Sequence, residues 1–515
     1  MNAFERAILH VAPGLAAARA RSRVRAMYFS DAYEATRPSR ERKFWRERGS
    51  GNRAAMMAIR PLREQARQLD RNHDIARSIL NILVRNVVGA NGIGIEPQPL
   101  TKDGDIHDDL ATQIHTLHAD WSRRPEVTWQ YDKARMEQLL CRSWLRDGEV
   151  LFQKVTGYLN TLDHGTQVPF SIEMIEADLL PLEFSDVSNG VFQGVQRNAW
   201  GKPTGYWLYK SHPNDPAYPY QPEKKFVSAD VMGHIKAIDR IGQVRGVSIF
   251  ASVMTRLDDI KDYEESERIA AKIAASLAAV IKKGDPASFN EADLIGPDGQ
   301  KYPKRRLEFE PGMIIDDLRP GEDISMLDAK RPNTGLEGFR NGQLRAVAGG
   351  VDVSYSAASK NYDGSYSALR QELVDQWSAY GTISNAFIDM HCRPTFEGFI
   401  TAALLSGQLK IPRDADPQSI RNALYVPPQM PWIDPYKESL ANEIVEDRAY
   451  ESGPEIIRSR GGNPRDVARQ QSWWLRYKKS LGIPDVTTGR QLPQVVTPTN
   501  PNPNPDAPIP AEEET

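Results

Sequence analysis

The sequence predicts a mixed α+β protein, and three observations predict it. Apolar residues recur at three- and four-residue steps over Leu62 to Val88. Apolar and polar residues alternate over Glu149 to Val155 and Phe170 to Ile175. The run from Val253 to Ile281 contains neither Pro nor Gly and reads as one long helix of about 43 Å at ~1.5 Å per residue.

A chain of 515 residues is too long for a small binding module, and 40% hydrophobic beside 26% charged content excludes wholesale disorder. A net charge of −3 gives no overall attraction to nucleic acid, so any DNA contact must come from local patches or enclosure. Two cysteines, Cys141 and Cys392, are too few for a disulfide framework or a cysteine zinc site and fit a reducing compartment. No stretch is long and uncharged enough to span a membrane; even Ile75 to Val88 contains Arg77 and Arg85.

Residues 1–48 carry eleven Arg or Lys against five acids, an arm that is either a solvated leader or a tether for an anionic partner. Arg19, Arg21, Arg23 and Arg25 among alanines have the look of a transit peptide, but a secretory h-region and cleavage site are missing. The helical pattern Leu62 to Val88 stops at Gly89, Gly92 and Gly94, which read as a turn because they follow a helix and reverse the dinucleotide fingerprint. Helical patterns at Asp108 to Trp121 and Lys133 to Arg146 lead into alternating segments that also include Val191 to Arg197 and Thr204 to Tyr209.

The long run from Val253 has two halves. Its first half is acidic (Asp258, Asp259, Asp262, Glu264, Glu265, Glu267); Ile269 to Ile281 is apolar or small on nearly every face. A helix apolar all round must be covered on several sides. Ala270, Ala271, Ala274, Ala275 and Ala278 allow close backbone approach, so packing against another long helix, from this chain or from another subunit, is expected. A turn-rich, β-rich excursion follows over Lys283 to Pro332, then a helix at Leu336 to Ala348 and a Gly/Ser/Tyr-rich segment from Gly349. A helical pattern over Tyr366 to Leu405 is expected to break at Pro394. Capped helices fill Asp434 to Leu481, and the prolines beyond Pro484, followed by Glu512 to Glu514, read as a disordered acidic tail.

Catalytic signatures are sparse. Gly201-Lys202 precedes Pro203, so there is no phosphate-binding P-loop, and neither a G-x-S-x-G elbow nor an H-E-x-x-H helix occurs. His115 and His118 share a helical face with His107 upstream but have no third ligand, and Asp103-Gly104-Asp105 lacks the closing Glu of a calcium loop. Cys392 beside His391 has no orienting partner and is expected to be buried. Metal and cofactor are therefore expected to be absent, and a hydrolase using scattered carboxylates is the enzymatic alternative.

Leu62-Arg63-Glu64-Gln65-Ala66-Arg67-Gln68-Leu69 with Arg71-Asn72, then Val87-Val88-Gly89 and Gly92, resemble the opening of lambda-family bacteriophage portal proteins. Ala229-Asp230-Val231, His234, Arg240, Gln243 and Arg245-Gly246-Val247-Ser248 resemble the family's wing motif. Pro311-Gly312, Asp352-Val353 with Tyr362 and Ser365 to Ser367, and Trp432-Ile433-Asp434-Pro435 with Lys437-Glu438 extend the likeness over about residues 40 to 480.

The resemblance implies a structural, non-enzymatic ring at one capsid vertex of the virion, usually of twelve subunits and assembled in the host bacterial cytoplasm, through which double-stranded DNA enters and leaves. Its partners would be further copies of itself, the terminase large subunit, major capsid and scaffold proteins, and head-tail connector proteins, with no membrane. It implies a basic arm at 1–48, a wing at 49–252, a stem helix at 253–282, a clip at 283–332 and a returning stem helix at 333–350. A tunnel loop at 351–365, a kinked wing helix and following segment at 366–430, a crown at 431–482 and a tail at 483–515 complete it. Ser356, Ser359, Lys360 and Asn361 would then meet DNA, the stem alanines would pack against other helices, and His234, Arg240, Gln243, Arg245 and Gly246 would hold the wing together. A channel wall that is neutral or acidic lets the phosphates slide, so the acidic half of the stem is expected to face the lumen in part.

Overall fold

The computed structural model describes residues 49–217, 223–275, 335–430 and 435–483, the backbone of 279–283 and 322–326, and isolated positions before residue 49. The arm, most of the clip, Ala278, Trp432 to Asp434 and the proline-rich tail therefore lie outside the described residues. The chain divides after Ala54 into two units, and the second, residues 55–515, holds all of the described sheets.

In chain order the elements are α1 (Gly51–Asn72), α2 (Asp74–Val87), β1 (Gly94–Pro97), α3 (Asp108–Trp121), α4 (Lys133–Asp147), β2 (Glu149–Thr156) and β3 (Phe170–Ile175). There follow β4 (Val191–Phe192), β5 (Val195–Arg197), β6 (Pro203–Tyr209), β7 (Lys224–Ser228), β8 (Met232–Lys236), α5 (Met254–Ala275), β9 (Ala279–Lys283) and β10 (Glu322–Met326). The remainder is α6 (Leu336–Gly350), α7 (Tyr355–Ser359), α8 (Tyr366–Phe387), α9 (Arg393–Leu405), β11 (Ala423–Val426), α10 (Pro435–Asp447), α11 (Gly453–Ser459) and α12 (Pro464–Ser480).

The mixed α+β class is what the structure has. Three antiparallel strands in the order β3-β2-β8 form the central sheet, and β4-β5-β6-β7 form a second. β1 pairs with β11, more than 300 residues away in sequence, tying Ile95 to Tyr425. Helix α9 lies over β2 and β3, where the space above Gly398 is only 3.0 Å from the Phe170 ring. Trp121, Phe170 and Phe399 pack ring to ring at 5.6 to 6.4 Å, and Phe152 meets His391 edge to face at 4.7 Å. Aromatic pairs in these orientations add to the burial of their large apolar areas.

Three expectations about helix limits need correction. The pattern Leu62 to Val88 is two helices, not one: His73 is extended (φ −120°, ψ 114°), and its Nε2 lies 3.0 Å from the Leu257 carbonyl. Packing against α5 thus overrides local periodicity at His73. The run from Val253 does not stay helical to Ile281. Helix α5 stops at Ala275, and Ala279 to Lys283 pair antiparallel with Glu322 to Met326, Ile281 opposite Ile324. Val280 and Ile281 are β-branched and suit a pleated strand, so the rod is about 33 Å long at ~1.5 Å per residue.

Pro394 does not break its helix. A π-helical turn, Ile388–Cys392, precedes it, and Pro394 sits in the first turn of α9, where a missing N–H is tolerated.

Candidate functional site

The residues expected to form the wing motif gather around one buried carboxylate, Glu149. Gly148, at φ +87°, ends α4 in the left-handed conformation and turns the chain into β2. Glu149, the first residue of β2, is fully buried. The β2–β8 register sets Leu151 opposite His234 and Glu149 opposite Lys236, so Glu149 and His234 are diagonal neighbours on one face. His234 places its Nε2 3.0 Å from one Glu149 oxygen. Because a carboxylate only accepts, the neutral imidazole donates from Nε2.

Arg245 completes the arrangement. Its Nε lies 2.9 Å from both Glu149 oxygens, and its Nη1 donates to the Gln193 carbonyl at 3.0 Å. Arg63 of α1 donates to Glu149 at 2.7 Å, and the Gly246 N–H donates at 3.0 Å. Burial opposes ionisation of Glu149, but Arg245 and His234 outweigh it and hold its carboxyl well below the usual carboxylate range. Burial also lowers the affinity of His234 for a proton, and the Glu149 charge offsets part of that effect.

The glycines are required here by close approach. A Cβ on Gly246 would stand 2.0 Å from the Gly148 carbonyl oxygen, and one on Gly148 would stand 2.4 Å from the backbone of Val247. Gln243 is buried and donates to the Arg245 carbonyl at 2.8 Å, which fixes the turn carrying the guanidinium. Arg240 lies exposed on that turn, away from Glu149, its carbonyl accepting the Gln243 N–H at 3.2 Å. His234, Gln243, Arg245 and Gly246 therefore converge, whereas Arg240 does not.

Neither Glu149 nor the partners of α1 are evident in the sequence reading. Arg63 and Arg67, one helical turn apart, reach Glu149, Asp147 and Asp178; Arg67 pairs with Asp147 at 2.8 Å and with Asp178 at 2.5 Å. The available signal was the carboxylate pair flanking Gly148, set at the end of a helix and the start of a strand.

Helix α5, expected to be the stem, begins with Met254, Leu257 and Ile260 buried. Helix α6 returns beside it: Tyr263 and Phe339 rings lie 4.8 Å apart, Arg256 donates to Gln343 at 3.1 Å, and Arg340 pairs with Glu264. Farther out the cover thins. Ile269 is 50% exposed, Ala271 is exposed and Ala270 half-buried. Asp258, Asp259, Asp262 and Glu265 are also exposed. Ala274 and Ala275 end the helix, and Ala278 lies outside the described residues.

The segment expected to meet DNA is more ordered than a loop. Ser354 caps α7 by accepting the Ala357 N–H, and Lys360 ends it at φ +58°. Ser356 must be corrected as a channel residue: it is buried, its hydroxyl donates to Glu372 and its N–H donates to the same carboxylate at 3.1 Å. Ser359 is half-buried and donates to the Tyr355 carbonyl at 2.8 Å. Lys360 is exposed, and the half-buried Asn361 accepts the Asp363 N–H at 2.8 Å.

The remaining candidates have structural surroundings. His118 is buried among Trp121, Phe396 and Phe399, His115 faces Asp466 at 3.5 Å, and His107 caps α3. Cys392 is buried with its Sγ 3.8 Å from Glu137, and burial with the Glu137 charge raises its thiol well above the ordinary range. Glu176, Asp178 and His212 could bring ligand atoms within 4.8 Å of one another, but Arg63 and Arg67 already engage Asp178.

Residues 37–383 match the model of the family described as "Phage portal protein, lambda family". The chain belongs to the lambda family of phage portal proteins. The portal chain is 28% identical over 439 residues to the probable portal protein of Halomonas phage phiHAP-1, covering 82% of each. It is 25% identical over 211 residues to portal protein B of Escherichia phage lambda, covering 36% of this chain and 38% of that one. Among solved structures it is similar to a chain in the neck of an empty gene transfer agent particle, at 13% identity and a TM-score of 0.40, over 82% of this chain and 96% of that one. As a portal protein it has a structural role and is not an enzyme, which removes the carboxylate hydrolase. The cluster around Glu149 is buried and ties α1, β2, β8 and the turn after β8 together.

Proposed function

We propose that identical copies of this portal chain close into a ring, of twelve subunits as is usual for the family, at one vertex of the virion capsid. Double-stranded DNA passes through the ring without sequence recognition. During packaging the ring docks the terminase large subunit, within a shell of major capsid and scaffold proteins, and later it docks head-tail connector proteins. The observation that carries this reading is the outer half of α5, where Ile269 and Ala271 are left exposed by their own chain. An apolar, small-residue surface of this kind is satisfied by a neighbouring helix, and a ring gives every copy that neighbour.

In the ring the acidic residues of α5 face the lumen in part and keep DNA from adhering, and Lys360, exposed at the end of α7, supplies a sparse contact with the passing phosphates. Native mass spectrometry with negative-stain imaging tests the assembly. Twelve copies of 57.8 kDa give about 694 kDa and an annular particle with a central pore. A species that stays at the mass of one chain at high concentration overturns the ring.

A further inference from the structure

A cavity of about 590 Å³ opens beside the wing cluster, between α1, α2 and α4, and six arginines line it against two acids, Asp70 and Glu176. Three of them form its floor and are already neutralised. Arg142 makes a two-pronged contact with Asp70, Arg146 spans Asp70 and Asp147, and Arg67 holds Asp147 and Asp178. The other three, Arg71, Arg77 and Arg135, stand exposed around the rim, and among the described residues none of them has an acidic partner. The floor arginines are fixed by their carboxylates, while at the rim Arg135 spends one long bond on Gln138, at 3.4 Å, and otherwise the exposed guanidiniums point their donors outward. Planar guanidinium forks match the oxygen geometry of phosphate two bonds at a time. A volume of this size lies in the range of about 300–1,000 Å³ that encloses small ligands.

We propose that this cavity is a binding site for phosphate groups, with Arg71, Arg77 and Arg135 as its ligating cations and the Arg67–Arg142–Arg146 layer as a rigid base. It is formed by one chain alone and does not depend on ring closure. The phosphates come either from a DNA backbone or from free phosphate or pyrophosphate, and the two sources separate by experiment.

The test uses the full-length chain, wild type beside Arg71→Glu/Arg77→Glu, whose changed residues are exposed and unpaired. Anisotropy of a fluorescent duplex is measured across a salt series, and the melting temperature is measured in pyrophosphate against chloride of equal ionic strength. Both chains should melt together in chloride, which shows that the variant folds. A DNA site predicts at least tenfold weaker duplex binding by the variant and a salt slope shallower by nearly one for each phosphate contact removed. A site for free phosphate predicts stabilisation of the wild type alone by pyrophosphate, with duplex binding equal in the two. Arg71→Lys/Arg77→Lys, which keeps charge but not the fork, should show intermediate binding. Identical duplex affinity and identical melting of wild type and Glu variant in both salts overturn the proposal.

Discussion

Arg245 closes on Glu149 with its Nε equidistant, at 2.9 Å, from both carboxylate oxygens, although 96 residues separate the two in sequence and neither side chain touches solvent. The pair joins the turn after β8 to the first residue of the central strand. Buried ion pairs of this kind stabilise weakly overall but are expensive to break, because the surviving partner is left charged and unsolvated.

Glu149→Ala leaves Arg245 buried without its counter-charge and Arg63 with Asp178 alone, 3.7 Å away. The expected loss is about 3–5 kcal/mol in urea unfolding. Arg245→Lys keeps the charge, loses the fork and should fall between that variant and wild type. A loss under about 1 kcal/mol for Glu149→Ala would show that water reaches the cluster and that it does not anchor the turn after β8.

Stability should fall with acid. Burial, aided by the Lys133 charge, lowers His391 to about 3, and burial also lowers His118 and His234. Unfolded, each takes up a proton near pH 6.5. As pH falls below that value the unfolded chain binds protons the native chain refuses, so stability drops by up to about 1.4 kcal/mol per pH unit for each such group until its folded pKa is reached. Glu149, held low when folded, acts in the same sense: its contribution is present above the unfolded carboxylate pKa and is lost as pH falls through the folded one. Urea midpoints at pH 7.5, 6.0 and 5.0 should decline in that order, and His391→Phe should make the decline shallower.

Ser356 and Lys360 separate the packing of α7 from its exposed end. Ser356→Ala removes the hydroxyl bond to Glu372, leaves only the backbone N–H on that carboxylate, and should cost about 1.5–3 kcal/mol, as expected for a hydrogen bond to a charged group. Lys360→Glu should leave stability within about 0.5 kcal/mol of wild type, yet alter DNA packaging or retention in assembled particles. Equal packaging by both chains removes Lys360 from the proposed channel.

Ile269→Glu should leave single-chain unfolding nearly unchanged, since half of that side chain is already in water. It should also reduce ring formation in sedimentation velocity. Unimpaired rings would move the subunit contact to another face.

Much of this arrangement was legible in the sequence because it is local. The alternation over Phe170 to Ile175 gives β3 to the residue, and Asp132, accepting the Arg135 N–H, starts α4 where the helical pattern begins. What was hidden depends on partners far away. The carboxylates flanking Gly148 mark the spot, but the local sequence does not tell that Arg63, His234 and Arg245, from distant segments, meet on Glu149. His73 fits helical spacing yet leaves the helix to reach the Leu257 carbonyl, and β1 is invisible without β11. The fate of Val280 and Ile281 is similar: their strand exists only because Glu322 to Met326 return beside it. For Ser356, the family resemblance implied an accessible loop, and only Glu372, in the next helix, shows it turned inward.

The π turn at Ile388–Cys392 has a further meaning for how this chain tolerates change. Upstream, Gln376, Tyr380, Ser384 and Phe387 face inward; downstream, Phe396, Phe399, Ile400 and Ala403 do. Counted along an uninterrupted α-helix the two stripes fall roughly 150° out of phase, and one surplus residue absorbed by the wider turn, worth about 100° of rotation, removes most of that offset. The extra residue works as a splice, so losing a residue within this turn is expected to disturb the seating of the two halves less than losing one from the middle of either helix.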